Sequence, residues 1–332
     1  MPDKSFIRED KTVTVLIVTY KKFDKIYDSL NSVLNQKYPY IELIIQDDGS
    51  PNFDEYYNSI NKYIDDNNKG NIIRKVINHS KINHGTSRNV NIGIKLMKGK
   101  YLKLLTPDDM LYSEDTLSDS VAFCEEYNSS ILIGQTYVMR RGDRTIFDSI
   151  EDSIAYRWKA RSGKRCILSP SNKDIDYLRD LSDEDCRRVI ASCPIISTPS
   201  VFYRDDLVKE TNGFPETYKL MEDMPYWPLL AKKGVKFYFS NIRMVRYELS
   251  GISNGGEHSK EFLSDYYDVM KSVYIENDLR GGIFNPLVKL YRSRKAYYFS
   301  FKDNGLKSWK YLDVQLGRLF EHTKYLLTGS RF

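Results

Sequence analysis

The chain has few of the residues that mark metal, redox or membrane chemistry. Its 4 cysteines in 332 residues (Cys124, Cys166, Cys186 and Cys193) include no CxxC pair. They read as reduced thiols and not as a disulfide framework. There are only 4 histidines, His79, His84, His258 and His322. Without an HExxH motif or paired Cys/His spacing, a dedicated zinc centre is not expected. No run of about 18 apolar residues is present, so no membrane-spanning helix is expected either. The first residues, Met1–Ser5, lack the apolar core of a signal peptide, which makes a cytoplasmic location the default expectation. Internal repeats and low-complexity segments are also missing.

What remains is the composition of a globular enzyme-sized chain. Hydrophobic residues make up 41%, enough for one large domain or one domain plus an extension. The formal net charge of +5 is unevenly placed: residues 280–332 hold 11 Lys and Arg against 3 Asp and Glu. The preceding stretch is therefore net acidic, and any anionic surface should meet the tail.

The first 110 residues alternate strand and helix. The β-branched run Val13–Thr19 reads as a strand, and 24–35 as a helix with Ile26, Leu30 and Leu34 on one face. Ile41–Gln46 is a buried parallel strand ending in Asp47-Asp48-Gly49-Ser50. Ser50 and Pro51 look like an N-cap and first-turn proline for a helix carrying Phe53, Tyr56, Ile60 and Ile64. A third strand spans 72–77, and a helix within 83–99 is closed by Gly99. The fourth strand, Tyr101–Leu105, ends in Thr106-Pro107-Asp108-Asp109. This order implies an α/β fold with a mostly parallel sheet covered on both faces. Carboxylates at two strand ends lie where open α/β sheets bind ligands, and suggest a nucleotide diphosphate and its metal.

Beyond residue 110 the pattern loosens. A helix is expected from Ser113, a strand and hairpin across 131–148, and no assignment is made for 150–190. Residues 221–234 read as a helix opened by acidic residues and stopped by Gly234, followed by short strands at 235–239 and 244–247. Two apolar helical stripes follow, Phe262/Tyr266/Val269/Val273 and Trp309/Leu312/Leu316/Phe320.

Taken in order, Val15–Tyr20, Ser32–Gln36 and Glu42–Ser50, then Asn83-His84-Gly85 with Arg88-Asn89, and Gly99–Asp109, resemble the inverting family-2 glycosyltransferases of GT-A fold. Thr198–Arg204, Gly213-Phe214 and Glu222-Asp223 resemble that family's acceptor-side block. The resemblance covers roughly residues 12–255, and several ordered motifs are far more specific than one. Thr106 stands where the metal motif often has Asp, which leaves two carboxylates instead of three.

The resemblance implies transfer of a sugar from a UDP-sugar to a glycan or lipid-linked acceptor hydroxyl, with inversion and with Mn²⁺ or Mg²⁺. Thr19 and Tyr20 would contact the base, Tyr20 by stacking, and Asp48 would accept the N3–H of uracil; otherwise the Asp47-Asp48 pair caps a loop. Asp109 would hold the metal and Asp108 lie near the ribose or sugar, unless the pair is a solvated turn. Arg88 would meet donor phosphate or Asp108, or else sit on a helix surface. His84 reads as a local loop contact, and His258 either completes the metal shell or is a solvated loop residue. Asp223 is the expected general base, with Glu222 positioning it or binding acceptor; both could instead serve a helix N-terminus. Trp227 would stack on an acceptor sugar or pack in the core.

These assignments divide the chain into a catalytic domain at 1–258, split near residue 110 into donor and acceptor halves, and a helical basic extension at 259–332. The extension suits an anionic membrane surface at the inner face of the cell membrane, or a homo-oligomer contact. It contains no recognisable nucleic-acid reader. A sugar nucleotidyltransferase is the rival enzyme, but its Gly-rich basic triphosphate loop is absent from Thr19–Lys22. A non-catalytic nucleotide-sugar-binding scaffold is the other rival.

Overall fold

A computed structural model describes residues 9–139, 167–192, 195–248 and 259–275, with positions 312, 316, 319, 320, 323, 326 and 327. The expected hairpin return at 145–147, the loop 251–256 with His258, and the tail residues Arg292, Arg294, Lys295 and Trp309 lie outside them.

The four expected strands are present as β1 (Val13–Thr19), β2 (Ile41–Asp47), β3 (Ile72–His79) and β4 (Tyr101–Leu105). They pair in parallel in the order β3-β2-β1-β4. Helices α1 (Ile26–Leu34), α2 (Phe53–Asn67) and α3 (Thr86–Leu96) supply the crossovers. Side chains alternate across the sheet as pleating requires. Val13, Val15, Ile17, Leu43, Ile45, Tyr101 and Leu105 join the core on one face, with Leu30 and Val33 of α1 and Ile60 of α2. Leu16, Ile44, Leu102 and Leu104 join the core on the other, with Val90 of α3.

The sheet is wholly parallel only in this half. It continues through β8 (Val201–Arg204), β6 (Ile131–Met139), β9 (Tyr238–Glu248) and β5 (Asp109–Leu111), with β7 (Ile167–Ser169) beside β6. Here β8 is antiparallel to β4 and to β6, while β6 and β9 run parallel. Because β8 runs against β4, the segment that enters β8 lies at the end where β4 finishes. That geometry brings the acceptor-side motif to the carboxylate end of the sheet.

Several elements depart from the sequence expectation. Helix α4 is Thr116–Tyr127 and not a helix from Ser113, because the Ser113 amide and hydroxyl both bond to Thr116 Oγ1 in the turn before it. The unassigned stretch holds α5 (Asn172–Asp180) and α6 (Asp183–Ser192), the former opened by a Ser171/Asp174 capping box. After α7 (Asp205–Glu210), α8 covers only Tyr226–Lys232, starting after Pro225. Glu222 and Asp223 therefore precede the helix. The two short strands expected after Gly234 are one strand, β9, whose pairing with β6 shifts register between Phe239 and Arg243. Helix α9 (Lys260–Val269) continues into a wider turn at Met270–Ile275.

Candidate active site

Asp47 and Asp48 organise the end of β2. Asp47 is fully buried and accepts from the Ser50 amide (2.8 Å), the Ser50 hydroxyl (2.6 Å) and His79 Nδ1 (2.7 Å). The Ser50 oxygen in turn accepts the Lys21 amide at 2.8 Å, so Ser50 is committed to this turn and not to capping α2. Asp48 holds the loop ahead of α3: His84 N–H donates to Oδ1 (2.9 Å) and Gly85 N–H to Oδ2 (2.8 Å). Burial raises the Asp48 carboxyl above its ordinary range, against the pull of those two amides. Gly49 has φ +78°, and a Cβ there would come within 2.5 Å of the Ile82 carbonyl carbon. The glycine lets the 82–85 loop close over the strand end.

Thr19 ends β1 beside Asp47, and its buried hydroxyl has no hydrogen-bond partner. Tyr20 is 40% exposed, with Lys21 Nζ 4.9 Å from its ring centre. A buried polar atom and an open aromatic ring at one strand end suit the edge and face of a base.

The end of β4 holds the two carboxylates. Thr106 Oγ1 lies 2.8 Å from Asp108 Oδ1 and 2.9 Å from Asp109 Oδ2, so the residue in place of the usual Asp bridges the pair. Lys22 Nζ lies 2.8 Å from Asp108 Oδ2. Burial alone would raise Asp108, but Lys22 and Thr106 hold its carboxyl below the usual range. Asp109 is pushed up to about 7 by burial and by the Asp108 charge, with Thr106 and Lys103 opposing. Its Oδ1 is buried without a hydrogen-bond partner. Such an orphan acceptor, next to a second carboxylate, fits a hard divalent cation. Among the described residues there is no cluster of three or more His, Cys, Asp or Glu side chains that could hold a metal ion. A cation here would complete its shell with donor phosphate and water.

On the acceptor side, Thr198 clamps Asp223: its hydroxyl lies 2.9 Å and its amide 3.2 Å from Oδ2. Burial raises both half-buried carboxyls, Glu222 to about 8 with help from the Asp223 charge, while Thr198 draws Asp223 down. The segment ahead of them rests on the start of α3. Ser87 N–H donates to Lys219 O (3.3 Å), and Ser87 Oγ to Tyr218 O (2.5 Å). Gly85, at φ +89°, gives Lys219 its room, since a Cβ there would run into the Lys219 side chain. From behind, Met221 packs with Phe262, Val269 and Tyr274, and Tyr274 Oη donates to Met224 O at 2.6 Å.

The acceptor role expected for Trp227 needs correction, and of the partners expected for Arg88 the pairing with Asp108 is not seen. Trp227 is fully buried, stacks parallel to Tyr203 at 6.3 Å and donates its indole N–H to Ile196 O at 3.1 Å. It is a core residue and cannot meet an acceptor sugar. Arg88 is exposed in the first turn of α3, and Lys22 is the residue paired with Asp108. Lys22, Lys103 and Thr198 carry site geometry that the sequence did not single out. The one available signal for Lys103 was a lysine on an otherwise apolar strand.

The sequence model of Glycosyl transferase family 2 matches residues 14–177. Among curated proteins, Poly(ribitol-phosphate) beta-N-acetylglucosaminyltransferase TarP of Staphylococcus aureus is 34% identical over 159 residues, covering 44% of this chain and 46% of its own length. TarS of the same species, likewise a Poly(ribitol-phosphate) beta-N-acetylglucosaminyltransferase, is 23% identical over 79% of this chain and 40% of its own. The chain thus spans less than half the length of these relatives. Among solved structures, S. aureus TarS 1-349 in complex with UDP-GlcNAc aligns over 91% of this chain and 78% of that chain, with a TM-score of 0.52 and 17% identity. A Pyrobaculum calidifontis mannosyltransferase in complex with GDP-Man and Mn2+ aligns over 100% and 86%, with a TM-score of 0.56 and 12% identity. At these identities the structural likeness speaks for the fold.

Proposed function

This chain belongs to glycosyltransferase family 2, and from that premise we propose that it transfers a sugar from a UDP-sugar to a hydroxyl of a bacterial surface glycan, with inversion. One observation carries the reading. The carboxyl ends of β1, β2 and β4 lie together at one end of the sheet, and the antiparallel entry of β8 brings Thr198, which clamps Asp223, to that same end.

Tyr20 stacks on uracil, and Thr19 offers its unpartnered hydroxyl to the base or ribose. Asp48 keeps the His84–Gly85 loop in place, and a remaining lone pair accepts N3–H, a donor that cytosine lacks. Asp108 and Asp109 would hold Mg²⁺ or Mn²⁺, with Asp109 the primary ligand, and the cation would supply positive charge for the departing diphosphate. Arg88, exposed at the start of α3, adds a guanidinium for phosphate. Asp223 takes the proton of the acceptor hydroxyl as that oxygen bonds to the anomeric carbon and the carbon–diphosphate bond breaks. Its raised carboxyl suits a base working near neutrality, and Glu222 beside it contributes by repulsion and by contact with acceptor.

The relatives' poly(ribitol-phosphate) acceptor makes a phosphate-containing glycan the first acceptor class to try. The test is UDP release from a panel of UDP-sugars, with the anomeric configuration of the product read by NMR. UDP release confined to a retained linkage, or turnover of sugar-1-phosphate with UTP, would replace this reading.

A second observation concerns the extension. Leu312, Leu316, Leu319, Phe320 and Leu327 are exposed at helical spacing, in the stretch holding the basic excess. An apolar stripe beside cations matches an anionic bilayer surface, which would put the enzyme at the inner face of the membrane. No described helix is long and apolar enough to cross one.

A further inference from the structure

Lys103 stands out because the strand residues beside it on its face of the sheet are apolar, the Asp109 carboxyl being the charge that acts on it. It lies between Tyr101 and Leu105 on β4, opposite Val15 of β1 and Phe202 of β8, and is fully buried. An apolar side chain would fill this position without an ammonium to accommodate. The pairing of β4 with β8 ends at Lys103 and Phe202. Just past that point Nζ reaches the Pro199 carbonyl at 2.5 Å and the Val201 carbonyl at 3.2 Å. The ammonium therefore continues a connection that the backbone ladder stops making. Pro199 follows Thr198, the residue that clamps Asp223, inside the tight Thr198–Ser200 turn closed by Ser200 N–H on Ser197 O at 2.9 Å.

We propose that Lys103 is a positioning residue for transfer: it fixes the Pro199–Val201 backbone, and through Thr198 it sets the carboxylate of Asp223 against the donor end of its own strand. This rests on the reading of Asp223 as the general base. The path is short and polar throughout, from Nζ to Pro199 O, along one peptide to Thr198, and from the Thr198 hydroxyl to Oδ2. It ties the two halves of the reaction site, because the strand that carries Lys103 runs on into the turn that presents Asp108 and Asp109.

The test compares K103M, T198V and the double variant in the full chain. Carbonyl-¹³C-aspartate labelling, with D223N as the difference spectrum, follows the Asp223 carboxyl through pH; Glu222 and Tyr203 are the titratable groups facing it. Loss of the clamp should move this titration upward by about half a pH unit in T198V. K103M should move it similarly, and the double variant no further than either. UDP affinity by calorimetry should stay within about twofold, while kcat for the donor identified by UDP release falls about tenfold. T198S, which keeps the hydroxyl, should restore both. An unshifted Asp223 titration in K103M overturns the proposal, as does full additivity with T198V. If K103M does not fold, K103Q takes its place: its amide is one bond shorter than the lysine chain and stops short of Pro199 O while keeping a polar end, and an unshifted titration again overturns the proposal. Normal transfer by D223N would remove the base reading, whereas a wild-type titration in K103M removes only the linkage.

Discussion

Replacing Asp223 with Asn separates catalysis from folding in a way that this structure makes specific. Asn keeps the size of the side chain and an amide oxygen that can still accept from the Thr198 hydroxyl and amide. What it loses is the ability to take a proton. Removal of a general base costs about 10²- to 10⁴-fold, equivalent to about 3–5 kcal/mol of transition-state stabilisation. Stability should move the other way. Burial raises the Asp223 and Glu222 carboxyls in the folded chain, so the folded state binds more protons than the unfolded state above the ordinary carboxylate range. Folding stability from this pair is complete below the unfolded pKa, and declines as pH rises through the folded values, up to about 8 for Glu222. The substituted amide carries no ionisation cost, so D223N should melt at or above the wild-type temperature, most visibly at alkaline pH. Wild-type transfer should rise with pH as the pair loses protons. Stopped UDP-release assays, calorimetric UDP titration and thermal melts across pH measure all three. A variant with transfer within about threefold of wild type, or one that loses UDP affinity as much as rate, refutes the assignment.

D109N should abolish metal-dependent UDP binding while leaving the melt intact, and full wild-type activity in EDTA would contradict metal dependence. Lys22 already neutralises Asp108, so K22M should strengthen Mn²⁺ binding without donor by about threefold or more, read by EPR; weaker binding would mean that Lys22 orients Asp108 instead. W227A should cost about 3–5 kcal/mol of stability, and an unchanged melt with a raised acceptor KM would restore Trp227 to the acceptor site. The chain should co-sediment with anionic vesicles at low salt and leave them at high salt; if it stays in solution while sedimenting as a dimer or larger, the stripe is a self-association surface.

The donor half was legible because its information is local. Strands β1, β2 and β4 are short, largely apolar runs, and β2 and β4 each lead into a pair of aspartates, so period and punctuation agree. The region 167–192 was illegible for the opposite reason. Its helices are mostly charged and bury only a few side chains, such as Ile175, Leu178, Val189 and Ile190. The Ser171/Asp174 capping box was the usable cue. Lys103 and Thr198 escaped because their roles depend on strand order. The contact from Lys103 to Pro199 spans 96 residues and exists only because β8 inserts beside β4. For Trp227 the spacing from Asp223 suggests an acceptor contact and the residue type a core position; spacing says nothing about which way a helix turns its face after Pro225, and the core position is the one that holds.

The same logic bears on acceptor choice. The segment carrying Glu222 and Asp223 is held from one side by α3, whose first turn belongs to the family-like half. From the other side it is held by α9 and the turn after it, which the family motifs do not reach. Leu220 N–H donates to Asp265 at 3.1 Å, Lys219 pairs with Glu261 at 3.4 Å, and Met221 is enclosed by Phe262, Val269 and Tyr274. The proposed base is thus braced on its donor side by α3, which lies among the family-like motifs, and on its outer side by α9, which lies beyond them. The outer brace can change without disturbing the donor side, because the two sets of contacts share only the short segment between Tyr218 and Met224. Differences in acceptor among such enzymes should therefore track the sequence after residue 259 more closely than the aspartate motifs, and exchange of 259–275 between two family members should alter acceptor KM before it alters UDP affinity.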